Sequence, residues 1–499
     1  MSCVQTFLDT DLFIYVESTW KINTLKNTGW LLDHLSFINK ANYQLCHSHD
    51  HSGLAFVDDP AAAASSDGAL VEAVSLDAKN SCRKDSIDEI KAPEEKASLM
   101  VKNTYVFREE FFNVLKPHGV ANNQMELQQK GSEAGLGNGG SEQQERIKMN
   151  GSYYTAKAKK KRKRSSELNH GERDALEYHL KISGLILDGT RSLVQEGLRC
   201  GFLQPSSSKQ ICAKTPVIEH SSLAELCEMA KQFPSVNESE QRAVCMISED
   251  SCVPEQVQVS CVTENTTNYA KTITLMGQKY LFPPKSAFLL SDISVMQPLL
   301  DYKKKFGIII IDPPWENKSV KRSNRYNYLS HWQIKQIPVP ALAAPGCLVV
   351  TWVTNRQKHL CFVKNELYPH WSVRGVAEWF WVKITKSGEF VFPLDSFHKK
   401  PYEVLVLGRV QQNTDVPLRI SEDDVPQIPD QKLIVSVPCI LHSHKPPLTE
   451  ILKAYTKPDV ECMELFARNL QPGWTSWGNE VLKFQHIDYF TAFQNKSDK

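Results

Sequence analysis

No two of the thirteen cysteines stand at Cys-x-x-Cys spacing, and they form no regular framework. That excludes a zinc module and a disulfide-stapled secreted fold, and it reads as a reduced intracellular chain that holds no metal. No apolar run approaches the length of a bilayer span. The N-terminus also lacks a basic stretch followed by an apolar core and a small-residue cleavage site. The expectation is a soluble protein, neither secreted nor in a membrane. The usual dinucleotide fingerprint, glycines between a strand and a helix, is absent, so an oxidoreductase loses its main support. Charge of one sign is missing too: 58 Lys and Arg against 57 Asp and Glu leave a net +1. Attraction to nucleic acid must therefore come from local clusters. What is present is length, 499 residues, enough for about two to four domains and a sizeable core.

The most informative stretch runs from Phe306 to Trp315. Ile308, Ile309, Ile310 and Ile311 form a wholly apolar, β-branched run, the pattern of a strand buried on both faces. Asp312 follows at once, and then Pro313 and Pro314, which cannot continue a sheet ladder. A carboxylate is thus delivered to the carboxyl end of a buried strand, where open α/β sheets place their chemistry. An aromatic amine, such as that of adenine, is a poor nucleophile because its lone pair is delocalised into the ring. The Asp312 carboxylate and the Pro313 carbonyl make an acceptor pair for its two N–H bonds, favouring a pyramidal nitrogen as it attacks a methyl group. Trp315, or an aromatic near it, can stack on an extruded base. The tripeptide alone would be a tight turn; the strand before it and the tryptophan after it favour the chemistry.

Taken in order, residues 1–48 carry Trp30, Leu31, Leu35 and Ile38 at helical spacing, which predicts a docking helix. His47, His49 and His51 read as a polar tract rather than a metal site. Residues 49–165 read as mostly disordered linker, interrupted by an apolar island at Tyr105–Phe107 and Phe111–Phe112. Within it, residues 157–164 hold seven cations in eight positions, a nuclear-import-like run or a phosphate-binding arm. Residues 170–235 predict a small helical module, with Gly189 and Gly201 as helix stops and a second helix opening at Ser222 with Glu225. Residues 236–270 read as linker. From 271 to 492, strand-like runs at 308–311, 347–353, 376–384, 402–407, 433–437 and 463–466 alternate with helical candidates at about 356–367 and 448–455. That alternation argues a mostly parallel α/β sheet, antiparallel at one end. Near its end, in Glu464-Leu465-Phe466-Ala467-Arg468-Asn469, a small residue precedes a cation able to bind a ribose or carboxylate. After Trp315, the cations Lys318, Lys321, Arg322 and Arg325 interleave with Asn324, Tyr326 and Tyr328, a pattern suited to phosphates and unpaired bases. His398, Lys399 and Lys400 add a second basic edge.

Asp312-Pro313-Pro314-Trp315 behind an apolar strand resembles the signature of the eukaryotic adenosine-N6 methyltransferase family, over about residues 275–490. One branch of that family is matched further through residues 29–34, 320–326 and 351–356. The resemblance implies a Rossmann-like S-adenosylmethionine-dependent methyltransferase fold in permuted motif order, with a substrate-binding insertion. It implies cofactor contacts from Asp292, Ile293, Lys445, Phe466, Arg468, Asn469, Asn479 and Glu480. Ala467 stands where the family has glycine, and Glu480 where it has an amide, so that Glu480 accepts from ribose hydroxyls but cannot donate. Asp312, Pro313, Pro314 and Trp315 become the catalytic set, and Lys318, Lys321, Arg322, Asn324, Arg325 and Tyr326 the substrate contacts. The implied substrate is adenosine in RNA, with 2′-O-methyladenosine of a small nuclear RNA favoured. DNA adenine, or a catalytically silent RNA-binding subunit, is the alternative. The expected location is the nucleus, with the cytosol as a second compartment.

Overall fold

The computed structural model describes residues 13–17, 28–47, 100–118, 169–205, 244–248, 261–316, 328–396, 399–411 and 425–494. The basic run at 157–164, the helix expected from Ser222 and the cations between 318 and 325 lie outside them. Among the described residues, no helix is long and apolar enough to cross a membrane.

The N-terminal part contributes β1 (Phe13–Glu17), β2 (Thr28–Leu32), α1 (His34–Asn39), β3 (Tyr43–His47), β4 (Met100–Phe107) and α2 (His170–Arg199). Next come β5 (Val244–Ile247), β6 (Val262–Asn265), the hairpin β7 (Lys271–Leu275) and β8 (Gln278–Phe282), and β9 (Ser286–Leu289). The remainder holds β10 (Phe306–Ile311), α3 (His331–Lys335), β11 (Ala343–Val353), α4 (Gln357–Phe362), β12 (Val373–Lys383) and β13 (Tyr402–Val410). Then follow β14 (Gln431–Ser436), α5 (Thr449–Lys453), β15 (Cys462–Leu465), β16 (Trp474–Trp477) and β17 (Phe490–Gln494).

Twelve strands form one sheet in the order β1-β2-β14-β12-β13-β11-β10-β15-β16-β9-β6-β5. From β9 through β16, β15 and β10 to β11 the pairs are all parallel. Beyond them β13 runs antiparallel to both β11 and β12, and β12, β14 and β2 run parallel again. β10 is central and bare of polar groups: Ile308, Ile309 and Ile311 have no exposed surface. Its side chains alternate between a core on one face (Ile309, Ile311, Val349) and a core on the other (Ile308, Ile310, Val350). Each of the six predicted strands is present, within a few residues at either end.

Three expectations need correction. Trp30, Leu31 and Leu32 lie in β2, paired with β14, and the helix begins only at His34. Three consecutive buried apolar residues suit a strand covered on both faces better than a helix stripe. Gly189 does not stop a helix: α2 runs unbroken for 30 residues, opened by an Asn169–Glu172 capping box. Residues 236–270 are not wholly linker, because β5 and β6 extend the sheet past β9. The apolar island at 105–112 is likewise ordered; β4 pairs with β3 and β17 in a separate three-stranded sheet.

Candidate active site

Because β9, β16, β15, β10 and β11 run parallel, their carboxyl ends share one edge of the sheet. Asp292 follows β9, Gly478–Glu480 follow β16, Phe466–Asn469 follow β15 and Asp312 follows β10. The loop after β14 brings Lys445 to the same edge. Antiparallel β13 begins there with Tyr402 and Glu403, and β12 ends there with Lys383.

These side chains form one chain of alternating charge. Arg468 Nη1 donates to Asp312 Oδ2 at 2.7 Å, and Lys445 Nζ lies 3.7 Å from Asp312 Oδ1. Lys445 also donates to Glu403 Oε2 at 2.5 Å, and Lys383 to Glu403 Oε1 at 2.5 Å. On the other side Arg468 Nε and Lys483 Nζ each donate to Glu480 at 3.0 Å. Among the described residues, four cations (Lys383, Lys445, Arg468, Lys483) alternate with three carboxylates (Glu403, Asp312, Glu480). Burial works against the charges of Lys445 and Arg468. The carboxylates outweigh it, so both cations hold their protons more firmly than usual, through Asp312 and Glu403 for one and Asp312 and Glu480 for the other. Burial would likewise raise Glu403, but Lys383 and Lys445 hold it below the ordinary carboxylate range. Glu464, whose Oε2 accepts from Gln471 Nε2 at 3.3 Å, goes the other way: burial and then the Asp312 charge push it up to about 7.

The residues predicted from the sequence fare differently. Asp312, Lys445, Arg468 and Glu480 meet in this network. Glu480 is 6% exposed and occupied by two cations, so it fixes Arg468 rather than offering an open carboxylate. Trp315 is not the open stacking face expected of it: it is 4% exposed, and its indole N–H donates to the Trp352 carbonyl at 2.8 Å. It braces the motif from inside, with the His359 ring 4.8 Å away. Pro314 is held as well, its carbonyl accepting from Leu329 N at 3.1 Å. Asp292 is half-buried and closes a turn, accepting from Ser294 N at 2.8 Å; Ile293 beside it packs on the core. Phe466 sits at φ +61°, a left-handed turn straight after β15, with Ala467 N donating to the Trp477 carbonyl at 2.9 Å. Gly478 nests against that turn so tightly that a Cβ there would stand 3.0 Å from the Ala467 carbonyl. Asn479 is half-buried on the same loop. Asn469, by contrast, lines a separate cavity of about 190 Å³ behind the site, between α1, His444 and Phe484. Lys318, Lys321, Arg322, Asn324, Arg325 and Tyr326 lie outside the described residues.

Lys383, Glu403 and Lys483 escaped the sequence reading, and Glu464 was given no role in it. Glu464 left a signal, a lone carboxylate inside the apolar strand Cys462–Leu465. Glu403 was masked by the lysines before it, which read as a surface edge. A small-molecule donor bearing a carboxylate and a ribose suits this edge, where Lys445 and Arg468 are held as buried cations and Asn479 follows the adjoining strand. Among the described residues no His, Cys, Asp and Glu group could hold a metal.

The MT-A70 family profile matches residues 306–480, from the start of β10 to Glu480. A human protein, N(6)-adenine-specific methyltransferase METTL4, is 55% identical over 482 residues, covering 94% of this chain and 98% of that one. N6-methyladenosine RNA methyltransferase MTA1 of Pyricularia oryzae is 33% identical, over 48% of this chain and 63% of its own. The DNA N6-methyl methyltransferase of Caenorhabditis elegans is also 33% identical, over 43% of this chain and 56% of its own. A strand-borne Asp-Pro-Pro-Trp motif in a parallel sheet edge thus defines the class, a methyltransferase. The chain belongs to the MT-A70 family.

Proposed function

We propose that this protein transfers a methyl group from S-adenosylmethionine to the exocyclic N6 of adenosine in RNA, with 2′-O-methyladenosine of a small nuclear RNA as the favoured target. The observation that carries the reading is the buried Asp312 carboxylate held between Arg468 and Lys445 at the end of β10. The human relative's name supports adenine N6 as the acceptor. RNA rests on the fungal relative's name and on the motifs at residues 29–34, 320–326 and 351–356. DNA adenine is the second reading, favoured by the name of the worm relative.

The donor, when bound, supplies an electrophilic methyl group on a sulfonium. Lys445 and Arg468 would receive its carboxylate, and Asn479 and the backbone around Asp292 and Ile293 would receive its nucleoside. In the structure Asp312 has one oxygen on Arg468 and the other, Oδ1, in only a long contact with Lys445. Oδ1 and the Pro313 carbonyl take the two N–H bonds of the adenine amine. As the nitrogen–methyl bond formed, the methyl–sulfur bond would break and release a neutral thioether; the carboxylate would oppose the positive charge developing on nitrogen, inside a water-poor edge where such a contact is strongest, and Oδ1 would accept the proton that the nitrogen sheds. Trp315 and the Trp352 carbonyl keep the motif rigid while this happens. The catalytic strand β10 precedes its sheet neighbour β15 in the chain; we read this as a circular permutation of the common methyltransferase layout. The cation run at 157–164 is assigned to nuclear import, and the cations at 318–325 to phosphates.

Purified protein given labelled S-adenosylmethionine and matched RNA, 2′-O-methyl-RNA and DNA oligonucleotides tests the reading directly. Label enters adenine N6 of the 2′-O-methyl-RNA first. Label in DNA alone transfers the reading to the second substrate, and label in none of them sinks it.

A further inference from the structure

We infer that Trp332, together with Arg356, is a docking platform for an unpaired nucleobase flanking the target adenine. Trp332 is 69% exposed, more than any other large apolar side chain among the described residues. Tryptophan is enriched at interfaces, where its large apolar face is covered by a partner while its N–H stays polar. Its mount is rigid. Ser330 caps α3 reciprocally with Gln333, and Ile334 anchors the helix with no exposed surface. The neighbouring His331 ring stacks on Phe362 at 3.8 Å with an interplanar angle of 7°. His331 Nε2 lies 3.0 Å from His359 Nδ1, and His359 Nε2 lies 3.0 Å from the Glu316 carbonyl. The carbonyl can only accept, so His359 donates to it through Nε2 and accepts from His331 Nε2–H. That chain ties the platform to the residue directly after Trp315.

The platform is also at the right end of the sheet. Leu329, three residues before Trp332, pairs with Trp315 and donates to the Pro314 carbonyl. α3 therefore leaves the catalytic edge at its first turn, and Trp332 is on that turn. Tyr328, 40% exposed, stands at the same exit. The cations nearby differ in their freedom. Lys335 is neutralised by Glu366 at 2.8 Å and Lys358 by Glu316 at 2.9 Å. Arg356, at the carboxyl end of β11, has no hydrogen bond or ion pair from its side chain among the described residues, although its charge reaches His359. Arg356 precedes the helix whose His359 meets His331, so a rigid exposed aromatic and a half-buried guanidinium are carried on contacting elements, a combination that binds single strands: the ring takes a base face and the cation a phosphate. A protein partner would need a wider apolar surface than one indole and one phenol ring.

The inference rests on the nucleic-acid reading, and the test separates the two. Wild type, Trp332→Ala, Trp332→Phe and Arg356→Gln are assayed with a single-stranded RNA containing one adenosine. Methylation by the wild type is established first; its failure with every oligonucleotide would count against the adenine reading. In Trp332→Ala, KM for the RNA rises about 5- to 50-fold, the scale of one lost base–aromatic stack. The rise is absent for a substrate cut down to the nucleoside, and Trp332→Phe recovers most of the loss. Arg356→Gln flattens the slope of log affinity against log salt by about one phosphate, whereas Trp332→Ala leaves it as in wild type. An unchanged KM in Trp332→Ala, with thermal melting as in wild type, overturns the inference. So does a loss of self-association in that variant with RNA binding intact.

Discussion

At the residue scale, the Asp312 carboxylate proposed as catalytic and the cations Arg468 and Lys445 proposed to hold the donor are one network. Asp312→Asn keeps size but places an NH₂ toward the adenine amine and removes the counter-charge of two buried cations. Single-turnover methylation should fall about a hundredfold or more, the scale of losing one preorganised electrostatic contact. Calorimetry should show donor affinity altered too, because Arg468 and Lys445 both lean on Asp312. A single-turnover rate close to wild type would reduce Asp312 to a turn residue. Glu464 gives a pH prediction. Its folded-state carboxyl titrates at about 7, above its ordinary value of 4.5. Below pH 4 both folded and unfolded forms keep the proton, and no difference arises. As pH rises from there through 7, the unfolded form ionises freely while the folded form must bury a charge, so stability is lost over that window. Glu464→Gln cannot ionise, so the variant should gain on wild type by an amount on the order of 3 kcal/mol by pH 8. The gain should vanish at pH 4. Urea unfolding at the two pH values checks this, and a gain equal at both would refute it.

At the element scale, α2 shows how one helix uses glycine in two ways. Its buried positions Ile182, Ile186, Gly189, Leu193 and Gly197 follow helical spacing and pack against β2 and β14. At Gly189 a Cβ would stand 2.3 Å from Leu433 Cδ1, whereas at Gly184 nothing lies within 4 Å. Gly184→Ala should therefore raise stability by about 0.5–1 kcal/mol through helix propensity. Gly189→Ala should lower it by about 1–2 kcal/mol, because overpacking exceeds the same propensity gain. Thermal melts of the two variants should move in opposite directions; a shared direction would show that the Leu433 contact is soft. The sequence made Gly189 look like a helix stop because spacing says nothing about which side chain of a distant strand, here Leu433, approaches a bare Cα. Trp30 misled for a related reason. Its spacing to Ile38 is helical, but β14 presents an open edge, and β2 covers it.

At the scale of the whole molecule, segments outside the family profile at residues 306–480 complete the fold. β1 and β2 extend the sheet past β14, and β4 joins β17 to β3. The cation run at 157–164 belongs to this scale as well. Replacing its seven cations with alanine should shift the protein toward the cytoplasm and leave activity in vitro unchanged, as imaging of the tagged protein and a methylation assay would show. Undiminished nuclear accumulation would remove the import role. The sequence by itself determined strand β10, the carboxylate at its end and the strands that follow, because a run of β-branched residues closed by prolines has few other solutions. It also carried Lys445 and Arg468, through motif order. Only the tertiary structure decided that Trp315 faces inward, and that Glu403 and Lys383, at the facing ends of β13 and β12, join Lys445 beside Asp312. Such pairings depend on which strand ends meet at one edge, and local propensity carries no information about that. The charge network exists because low-dielectric burial makes every ion there require a partner, and the partners come from strands up to 156 residues apart in the chain.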